Sequence, residues 1–134
     1  MKIFRQENLR NIPGPADRFT GEVLIKPLFD TPPPGSVAAA SVTFFPGART
    51  AWHTHAAGQH LIVLEGTGCI QINGQPAQVM HAGDIVWIAP GERHWHGAMP
   101  DRAMTHIAVQ ERMNGNSTDW EEPVPDETYY DCLK

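Results

Sequence analysis

The order of apolar and polar residues along the chain predicts short β-strands separated by turns. Apolar runs recur at close spacing, and glycine, proline and polar residues lie between them. The clearest runs are Val23-Leu24-Ile25, Val42-Thr43-Phe44-Phe45, Leu61-Ile62-Val63-Leu64, Ile85-Val86-Trp87-Ile88-Ala89 and Ile107-Ala108-Val109. Short runs bounded by turn residues are typical of an all-β sandwich or barrel. We therefore expect an all-β fold with little helix.

Length and turn content fit one compact domain. The chain has 134 residues, of which 12 are glycine and 12 are proline. A chain of this length buries roughly two-thirds of its surface on folding. We expect a single domain over residues 1–134, with the core of a barrel at about 36–112 and an N-terminal strand and a C-terminal tail at its periphery. Residues 1–20 are expected to drape over the barrel, and the tail to form a short helix from about Asp126.

Charge and hydropathy argue against several classes of function. The net charge is −5 and the ten basic residues are scattered, which disfavours binding to a phosphate backbone. No segment approaches the roughly 20 apolar residues that cross a bilayer, and the opening MKIFRQENLR lacks an apolar signal core. We expect a cytoplasmic protein that binds neither nucleic acid nor membrane. Cys69 and Cys132 are too few for a disulfide framework, and Cys69 is expected to pack in a strand.

Two pairs of histidines at alternate positions carry most of the chemical information. His53 and His55 lie in the block PGARTAWHTH, and His94 and His96 lie in the block GERHWHGA. Side chains alternate between the faces of a strand, so each pair projects two imidazoles to one side, roughly 6–7 Å apart. Gln59 follows a turn-prone stretch of small residues that can bring its amide oxygen to the same place. The pattern predicts one metal site with His53, His55, Gln59 and His94 as ligands.

These blocks resemble the two sequence motifs of the cupin family. The first motif has glycine, His-x-His, an acidic residue or glutamine, and glycine, and its places are filled by Gly47, His53, His55, Gln59 and Gly66. The second motif has glycine, Pro-x-Gly and histidine, and it corresponds to residues 83–94. The first proline of that motif is replaced by Ala89, although Pro90-Gly91 can still form the turn. The resemblance implies a cupin jelly-roll β-barrel that holds a metal ion.

A narrower resemblance extends over most of the chain. The segments FTGEVLIKPLF, FFPGARTAWHTH, GDIVWIAPGERHWHGA and MTHIAVQER are similar to the manganese-dependent bacterial hydroxynitrile lyases and their carboxymuconolactone decarboxylase-like relatives. Those lyases use three histidines and a glutamine, a set that His53, His55, Gln59 and His94 reproduce. The resemblance implies a lyase that cleaves an α-hydroxynitrile (a cyanohydrin) to an aldehyde and cyanide, and it favours manganese.

The predicted ligands also limit the chemistry. Three neutral imidazoles and a neutral amide leave the +2 charge of a divalent ion unreduced, whereas a glutamate at position 59 would lower it by one. The ion should therefore be a stronger Lewis acid, which suits a substrate hydroxyl that loses its proton. Nitrogen and amide-oxygen ligands accept Mn, Fe, Zn, Ni or Co, so the ligand types alone leave the metal open.

Strand parity places further side chains in the same cavity. His96 should point the same way as His94, and the narrower resemblance puts His106 near the metal. Either imidazole, with an ordinary pKa near 6.5, is a candidate catalytic base, and a structural hydrogen bond is an equal alternative for His96. The pocket is expected to admit a small, partly apolar substrate. Its predicted lining is Ala40, Val42, Phe44, Ala108 and Gln110.

Outside this pocket, the remaining tryptophans and one histidine are expected to have structural or no roles. Trp52, Trp87 and Trp95 are predicted to pack. His81 lies in a turn before Gly83 and is predicted to be exposed.

Two other functions remain open at this point. One is an iron-dependent cupin dioxygenase that uses the same site. The other is a metal-bearing protein that binds a small molecule without turnover. A fold hosts many reactions, so the motifs do not decide among them. Small cupins often associate, and the exposed edge of an open sheet gives a physical reason, so we also expect a homodimer or homotetramer.

Overall fold

Twelve β-strands and little helix make up the part of the chain that the structure describes. The computed structural model describes the backbone of residues 1–133 and the side chains of residues 1–132. The strands are β1 (Ile12–Pro13), β2 (Phe19–Thr20), β3 (Val23–Asp30), β4 (Val37–Phe44), β5 (Arg49–Thr50), β6 (His53–Thr54), β7 (Gln59–Ile72), β8 (Gln78–His81), β9 (Ile85–Ile88), β10 (His94–Ala98), β11 (Met104–Glu111) and β12 (Asp119–Trp120). One helix, α1 (Asp126–Tyr130), and two 3-10 turns, Gln6–Asn8 and Asp131–Leu133, complete the described elements. The all-β prediction is confirmed, as is a short helix from Asp126.

The strands form two antiparallel sheets that share β7. The first sheet has the order β1-β3-β4-β11-β7-β9, in which residues 59–62 of β7 pair with β9. The second sheet has the order β8-β7-β10-β5-β2, with β6 paired to β10 and β12 paired to β6. The later part of β7 pairs with β8 and β10. The chain therefore curls into a barrel whose two walls are joined through one strand.

Strand β7 is longer than any apolar run in the sequence. The run 61–64 and the strand expected at Cys69 belong to one 14-residue strand. The pairing register with β11 shifts near Glu65, which marks a bulge. Gly66 has φ of +77°, and a Cβ there would lie 1.9 Å from the carbonyl oxygen of Ala103. Glycine thus allows the strand to bend and pass from one sheet to the other without ending.

The space between the sheets holds the main hydrophobic core. Inward side chains of both sheets meet there, and several are fully buried. The core residues are Val23, Val42, Phe44, Ala48, Leu61, Val63, Ile70, Met80, Ile88, Ala98, Met104 and Ala108. At one end of the same interior the apolar residues give way to histidines, which form the site described below.

The C-terminal tail covers the outer face of the second sheet. A second buried cluster joins Trp52, Cys69 and Trp95 of the barrel to Val124, Tyr129 and Cys132 of the tail. The guanidinium of Arg49, only 4% exposed, donates to the carbonyl oxygen of Val124 at 2.7 Å and pairs with Asp126. The hydroxyl of Tyr129 donates to the carbonyl of Ala98 at 2.5 Å. The tail is therefore an integral layer of the fold.

One peripheral prediction is wrong, one holds for half of its segment, and several are confirmed. Trp52 and Trp95 pack, but Trp87 is 54% exposed because it lies on the outer face of edge strand β9. Of residues 1–20, residues 12–20 lie on the barrel through β1 and β2, whereas nearly all of residues 1–11 are exposed. His81 is exposed and Cys69 is buried, as expected. Within residues 1–133, no helix combines the length and apolar character needed to span a membrane.

Candidate metal centre

Six polar side chains gather inside one end of the barrel. Each of them is at most 5% exposed, which is unusual for histidine and glutamine. They are His53, His55, Gln59, His94, His96 and His106. Burying so many polar groups costs free energy unless each one has a partner, so each of their nitrogen and oxygen atoms requires one.

Strand pairing brings the two sequence blocks together. His53 in β6 and His94 in β10 are Cα partners in antiparallel strands, and their ring centroids lie 4.1 Å apart. His55 follows β6, and its ring centroid is 5.0 Å from that of His53. The backbone then turns at Gly58, whose amide donates to the carbonyl of His55, and Gln59 begins β7. The turn predicted between His55 and Gln59 is confirmed.

Backbone carbonyls hold one nitrogen of three of these rings. The Nδ1 atoms of His53 and His94 lie 2.9 Å from the carbonyl oxygens of Ala51 and Glu92. The Nδ1 atom of His55 lies 2.9 Å from the carbonyl oxygen of Ser117. Because a carbonyl can only accept, each Nδ1 carries the proton and donates. The neutral rings therefore present an Nε2 lone pair, the arrangement that metal-bound histidines commonly have.

Three acceptor atoms of the predicted ligands have no hydrogen-bond partner among the described residues. The Nε2 atoms of His55 and His94 are buried and unpaired, and so is the Oε1 atom of Gln59. The amide nitrogen of Gln59 donates to Oε1 of Gln110 at 3.1 Å, which orients the free oxygen. Buried nitrogen and amide-oxygen acceptors that lack a donor are the groups that a divalent cation satisfies. The donor set thus fits a metal ion.

A second combination of histidines also has metal-site spacing. Ligand nitrogens of His53, His94 and His96 all lie within 4.8 Å of one another. His96 was predicted as a base and not as a ligand, whereas His55 was predicted as a ligand and lies outside this tight trio. The ring of His55 is 5.4 Å from that of His94, centroid to centroid. Four imidazoles are therefore close enough to compete for one ion.

His96 and His106 form a buried pair beside this group. Nε2 of His106 lies 3.0 Å from Nδ1 of His96, and both side chains are at most 3% exposed. The two outer nitrogens, Nε2 of His96 and Nδ1 of His106, have no hydrogen-bond partner among the described residues. Phe44 packs against both rings. The pair therefore presents one free nitrogen at each end in an apolar setting.

Burial keeps these imidazoles neutral. Desolvation lowers the pKa of His94 and that of His106 to about 4. The pKa values of His53 and His96 are lowered well below the usual range, first by burial and then by the neighbouring histidines. The pKa of His55 is lowered by burial too. Neutral imidazoles are the form that binds metal or accepts a proton.

A small cavity opens against the histidines. Its volume is about 160 Å³. All five predicted lining residues border it, together with His53, His55, Gln59, His96 and His106. A larger groove of about 370 Å³ lies between β8 and β9, but none of these histidines borders it. The chemistry therefore points to the smaller cavity.

Sequence reasoning missed several residues of this cavity. Phe19, Ile25, Thr50, Thr118 and Trp120 also line it. The ring of Trp120 stacks on His53 with centroids 4.6 Å apart, and Thr118 lies within hydrogen-bond distance of Nδ1 of His55. These residues come from β2, β3, β5 and the segment around β12. Nothing in the local sequence marks them, since only long-range pairing of these strands brings them together.

Comparison with known proteins places the chain among barrels of this type. Residues 40–109 match the family model described as Cupin domain. Over 129 residues the chain is 57% identical to the (R)-mandelonitrile lyase of Granulicella tundricola, a match that covers 96% of this chain and 98% of that protein.

Solved structures agree on the fold. A cupin-like protein from Thermotoga maritima superposes with a TM-score of 0.86 at 38% identity, covering 98% of this chain and 97% of its own. A polyketide cyclase from Streptomyces resistomycificus superposes with a TM-score of 0.70 at 17% identity, covering 97% and 91%, and this likeness concerns the fold alone.

Proposed function

The chain belongs to the cupin family, and on that premise we propose that it is a metal-dependent lyase that cleaves α-hydroxynitriles to an aldehyde and cyanide. The curated relative at 57% identity is a mandelonitrile lyase and spans nearly the whole chain. The observation in this molecule that carries the proposal is the set of buried, unpaired acceptors on His55, Gln59 and His94, at the same end of the barrel as a pair of neutral histidines.

We assign the metal to His53, His55, Gln59 and His94. Three of these rings have Nδ1 committed to a carbonyl, and the glutamine has its amide nitrogen committed to Gln110. All four ligands are neutral. When bound, a divalent ion supplies Lewis acidity at the substrate hydroxyl. His96 remains the alternative ligand, because its nitrogen belongs to the tight trio with His53 and His94.

The His96–His106 pair supplies the proton chemistry. In the neutral pair exactly one proton lies between Nδ1 of His96 and Nε2 of His106, so one of the two outer nitrogens is a base and the other is a donor. The base takes the hydroxyl proton as the carbonyl of the aldehyde forms. The carbon–cyanide bond breaks, and the donor delivers a proton to the departing cyanide. Transfer of the shared proton then exchanges the two roles and restores a neutral pair.

The cavity selects small, apolar substrates. A volume of about 160 Å³ is close to that of cavities that hold benzene. Its apolar walls are formed by Ala40, Val42, Phe44 and Ala108, while Gln110 and Thr50 supply the polar groups. An aromatic cyanohydrin fits this combination of apolar wall and polar end. Water has little room beside a bound substrate of this size.

We further propose manganese as the working metal and a homo-oligomer as the working form. The resemblance of the ligand set supports manganese, and measured metal content after expression in manganese-rich and iron-rich media tests it. Mass in solution tests the assembly.

The decisive experiment is cyanide release from mandelonitrile by manganese-loaded protein. Chelator-treated protein and His94→Ala serve as the inactive comparisons, and His81→Ala, an exposed histidine outside the site, is the matched control. We expect metal-dependent release by the parent and by His81→Ala, with metal and activity both lost in His94→Ala. His96→Ala should keep its metal and lose at least tenfold in rate.

The outcomes separate the parts of the proposal. No release above the chelated control, with manganese verified as bound, contradicts lyase chemistry at this site. Loss of metal in His96→Ala, with metal retained in His55→Ala, moves the ligand set to His53, His94 and His96.

A further inference from the structure

Both cysteines of the chain lie where the tail covers the second sheet. Cys69 is in β7, and Cys132 is in the 3-10 turn Asp131–Leu133. They belong to the same buried cluster, with exposures of 0% and 9%, and both are free thiols. Neither borders the cavity or takes part in the proposed reaction. Two thiols of one chain in one cluster are a candidate site of oxidation.

The position of Cys69 in its strand turns the thiol towards the tail. Successive side chains of a strand point to opposite faces of the sheet. Ile70, the next residue, belongs to the core between the sheets, whereas Cys69 belongs to the cluster beneath the tail. At this point β7 is an inner strand, because Cys69 is paired with Gly97 of β10 and with Val79 of β8. The thiol therefore stands on a wide sheet surface that the tail covers.

A hydrogen bond of Tyr129 determines where Cys132 lies. The Tyr129 hydroxyl donates to the carbonyl oxygen of Ala98, which directly follows Gly97, the Cα partner of Cys69. Cys132 follows Tyr129 by three residues within one continuous helical segment, made of α1 and the 3-10 turn. Side chains three residues apart share a face of such a segment. The face that holds Tyr129 against β10 therefore brings Cys132 to the same strand pair as Cys69.

The two thiols also influence each other's ionisation. Burial raises the pKa of the Cys69 thiol, and a hydrogen-bonding contact with the thiol of Cys132 raises it further. Burial and then Cys132 raise the pKa of the Tyr129 hydroxyl as well. Side chains make such contacts only at close range, so the two sulfur atoms are neighbours. A disulfide requires this proximity, with Cα atoms within about 7 Å of each other.

We propose that Cys69 and Cys132 form a disulfide bond when a low-molecular-weight disulfide oxidises the protein, and that this bond joins the tail to β7. The thiolate of Cys132, the more exposed of the two, attacks one sulfur of the small disulfide, breaks its S–S bond and releases one small thiol. Cys69 then loses its proton, attacks the sulfur of Cys132 and releases the second small thiol. Both cysteines are oxidised, the small disulfide is reduced, and the two cysteine protons end on the two small thiols.

The tail connects this bond to the wall of the cavity. The segment around β12 leads into the tail, and it contains Trp120, which stacks on His53, and Ser117, whose carbonyl accepts a hydrogen bond from His55. A covalent link at Cys132 removes the states in which the tail is lifted from the barrel. The oxidised form is therefore the more stable one, and the redox state of the surroundings sets how firmly the tail is held.

Equilibration of metal-loaded protein with mixtures of reduced and oxidised glutathione tests the bond. We expect the parent to lose both thiols and the mass of two hydrogen atoms, and to run as a single chain on a non-reducing denaturing gel. Because the chain has two cysteines, that mass change assigns the bond. The folded protein should also form the bond at a ratio of oxidised to reduced glutathione at least tenfold lower than the same chain in urea, since the fold holds the thiols together.

Thermal unfolding of the same samples measures the link between tail and barrel. The oxidised parent should unfold at a temperature at least about 5 °C above that of the reduced parent, because the bond constrains the unfolded chain between residues 69 and 132. Cys132→Ala and Cys69→Ala are the matched controls, and each should unfold at one temperature in oxidising and reducing buffer. Cyanide release is followed in parallel.

Three results contradict the proposal. Thiols that persist at every glutathione ratio show that the bond does not form. A stable glutathione adduct on Cys132, or two chains joined through it, shows that Cys69 does not reach its partner. Equal unfolding temperatures of the oxidised and reduced parent show that the bond does not strengthen the attachment of the tail. Thiol content and unfolding are measured apart from turnover, so a failure here and a failure of the proposed lyase reaction are distinguishable.

Discussion

The free oxygen of Gln59 is the residue-scale feature on which the proposed chemistry depends most. Its amide nitrogen is held by Gln110, so the oxygen is the atom left toward the histidines. A neutral ligand leaves the charge of a bound ion undiminished, and charge is what stabilises a developing alkoxide. As a metal ligand, the side chain at position 59 is therefore expected to affect reactivity more than metal affinity.

Replacing Gln59 by glutamate tests this role. The carboxylate still offers an oxygen ligand, but it adds a negative charge and cannot donate to Gln110. We expect metal content to be retained and the rate of cyanide release to fall on the order of tenfold to a hundredfold, the size of effect seen when groups around a metal are altered.

The comparison for that substitution is Gln78→Glu, at an exposed position of β8. It adds the same charge away from the site and should leave the rate unchanged. Equal rates for the parent and Gln59→Glu would show that ligand charge does not limit the reaction.

At this scale, sequence reasoning predicted which side chains meet but not what fixes their orientation. The sequence shows that His53 and His55, and likewise His94 and His96, are two residues apart. Such a pair points to one face of a strand, which is a local property. The carbonyls of Ala51, Glu92 and Ser117 are not visible, because every residue has a carbonyl and only the fold decides which one faces a ring. The ligand roles themselves remain predictions.

At the scale of elements, one buried cation fastens the tail to the barrel. Arg49 in β5 reaches the carbonyl of Val124 with two nitrogens and stacks under the ring of Tyr129, 4.5 Å from its centroid. Its partner Asp126 is largely exposed, with 77% of its side-chain surface accessible. The hydrogen bonds to the carbonyl, and not the ion pair, should therefore contribute most of the stabilisation.

Arg49→Met is expected to lower the free energy of unfolding by about 2–4 kcal/mol, because it leaves the Val124 carbonyl buried without a donor. Urea unfolding followed by tryptophan fluorescence measures this. Asp126→Asn, which keeps the size and removes the exposed charge, should cost less than about 1 kcal/mol. If the two variants lose equal stability, the ion pair carries the energy.

Element predictions succeeded where a pattern was local and failed where distant pairing decided the outcome. The strands around the histidines follow from alternation and turn residues. The full length of β7 does not, because Gly66 and Gly68 allow a bend under pairing from three other strands. The exposed Trp87 was missed because burial of an apolar strand residue depends on what covers its face.

On the scale of the whole molecule, the buried histidines make stability depend on pH. In the folded metal-free protein the pKa of His94 and that of His106 are about 4, below the ordinary value of 6.5. Unfolded chains therefore bind more protons than folded ones between these values. Stability should be constant above about pH 6.5 and should fall as the pH drops toward 4.

The size of this effect is measurable by urea unfolding of chelator-treated protein between pH 7.5 and 5. Each of these two histidines contributes up to about 3 kcal/mol across the full window, since one pKa unit corresponds to about 1.4 kcal/mol. His106→Asn should flatten the slope, and His81→Asn, which changes an exposed histidine, should not. Equal stability of the parent at pH 7.5 and pH 5 would contradict neutral burial of the cluster.

The pairing of β6 with β10 has a kinetic consequence for an ion held there. His53 and His94 face each other across strands that are far apart in the chain, so such an ion acts as a removable cross-link between them. Both rings are enclosed, at 1% and 0% exposure, so a chelator too large for the cavity of about 160 Å³ cannot reach the ion until this strand pair separates. The rate of metal removal should therefore level off as the chelator concentration rises. The plateau would equal the rate at which β6 and β10 separate.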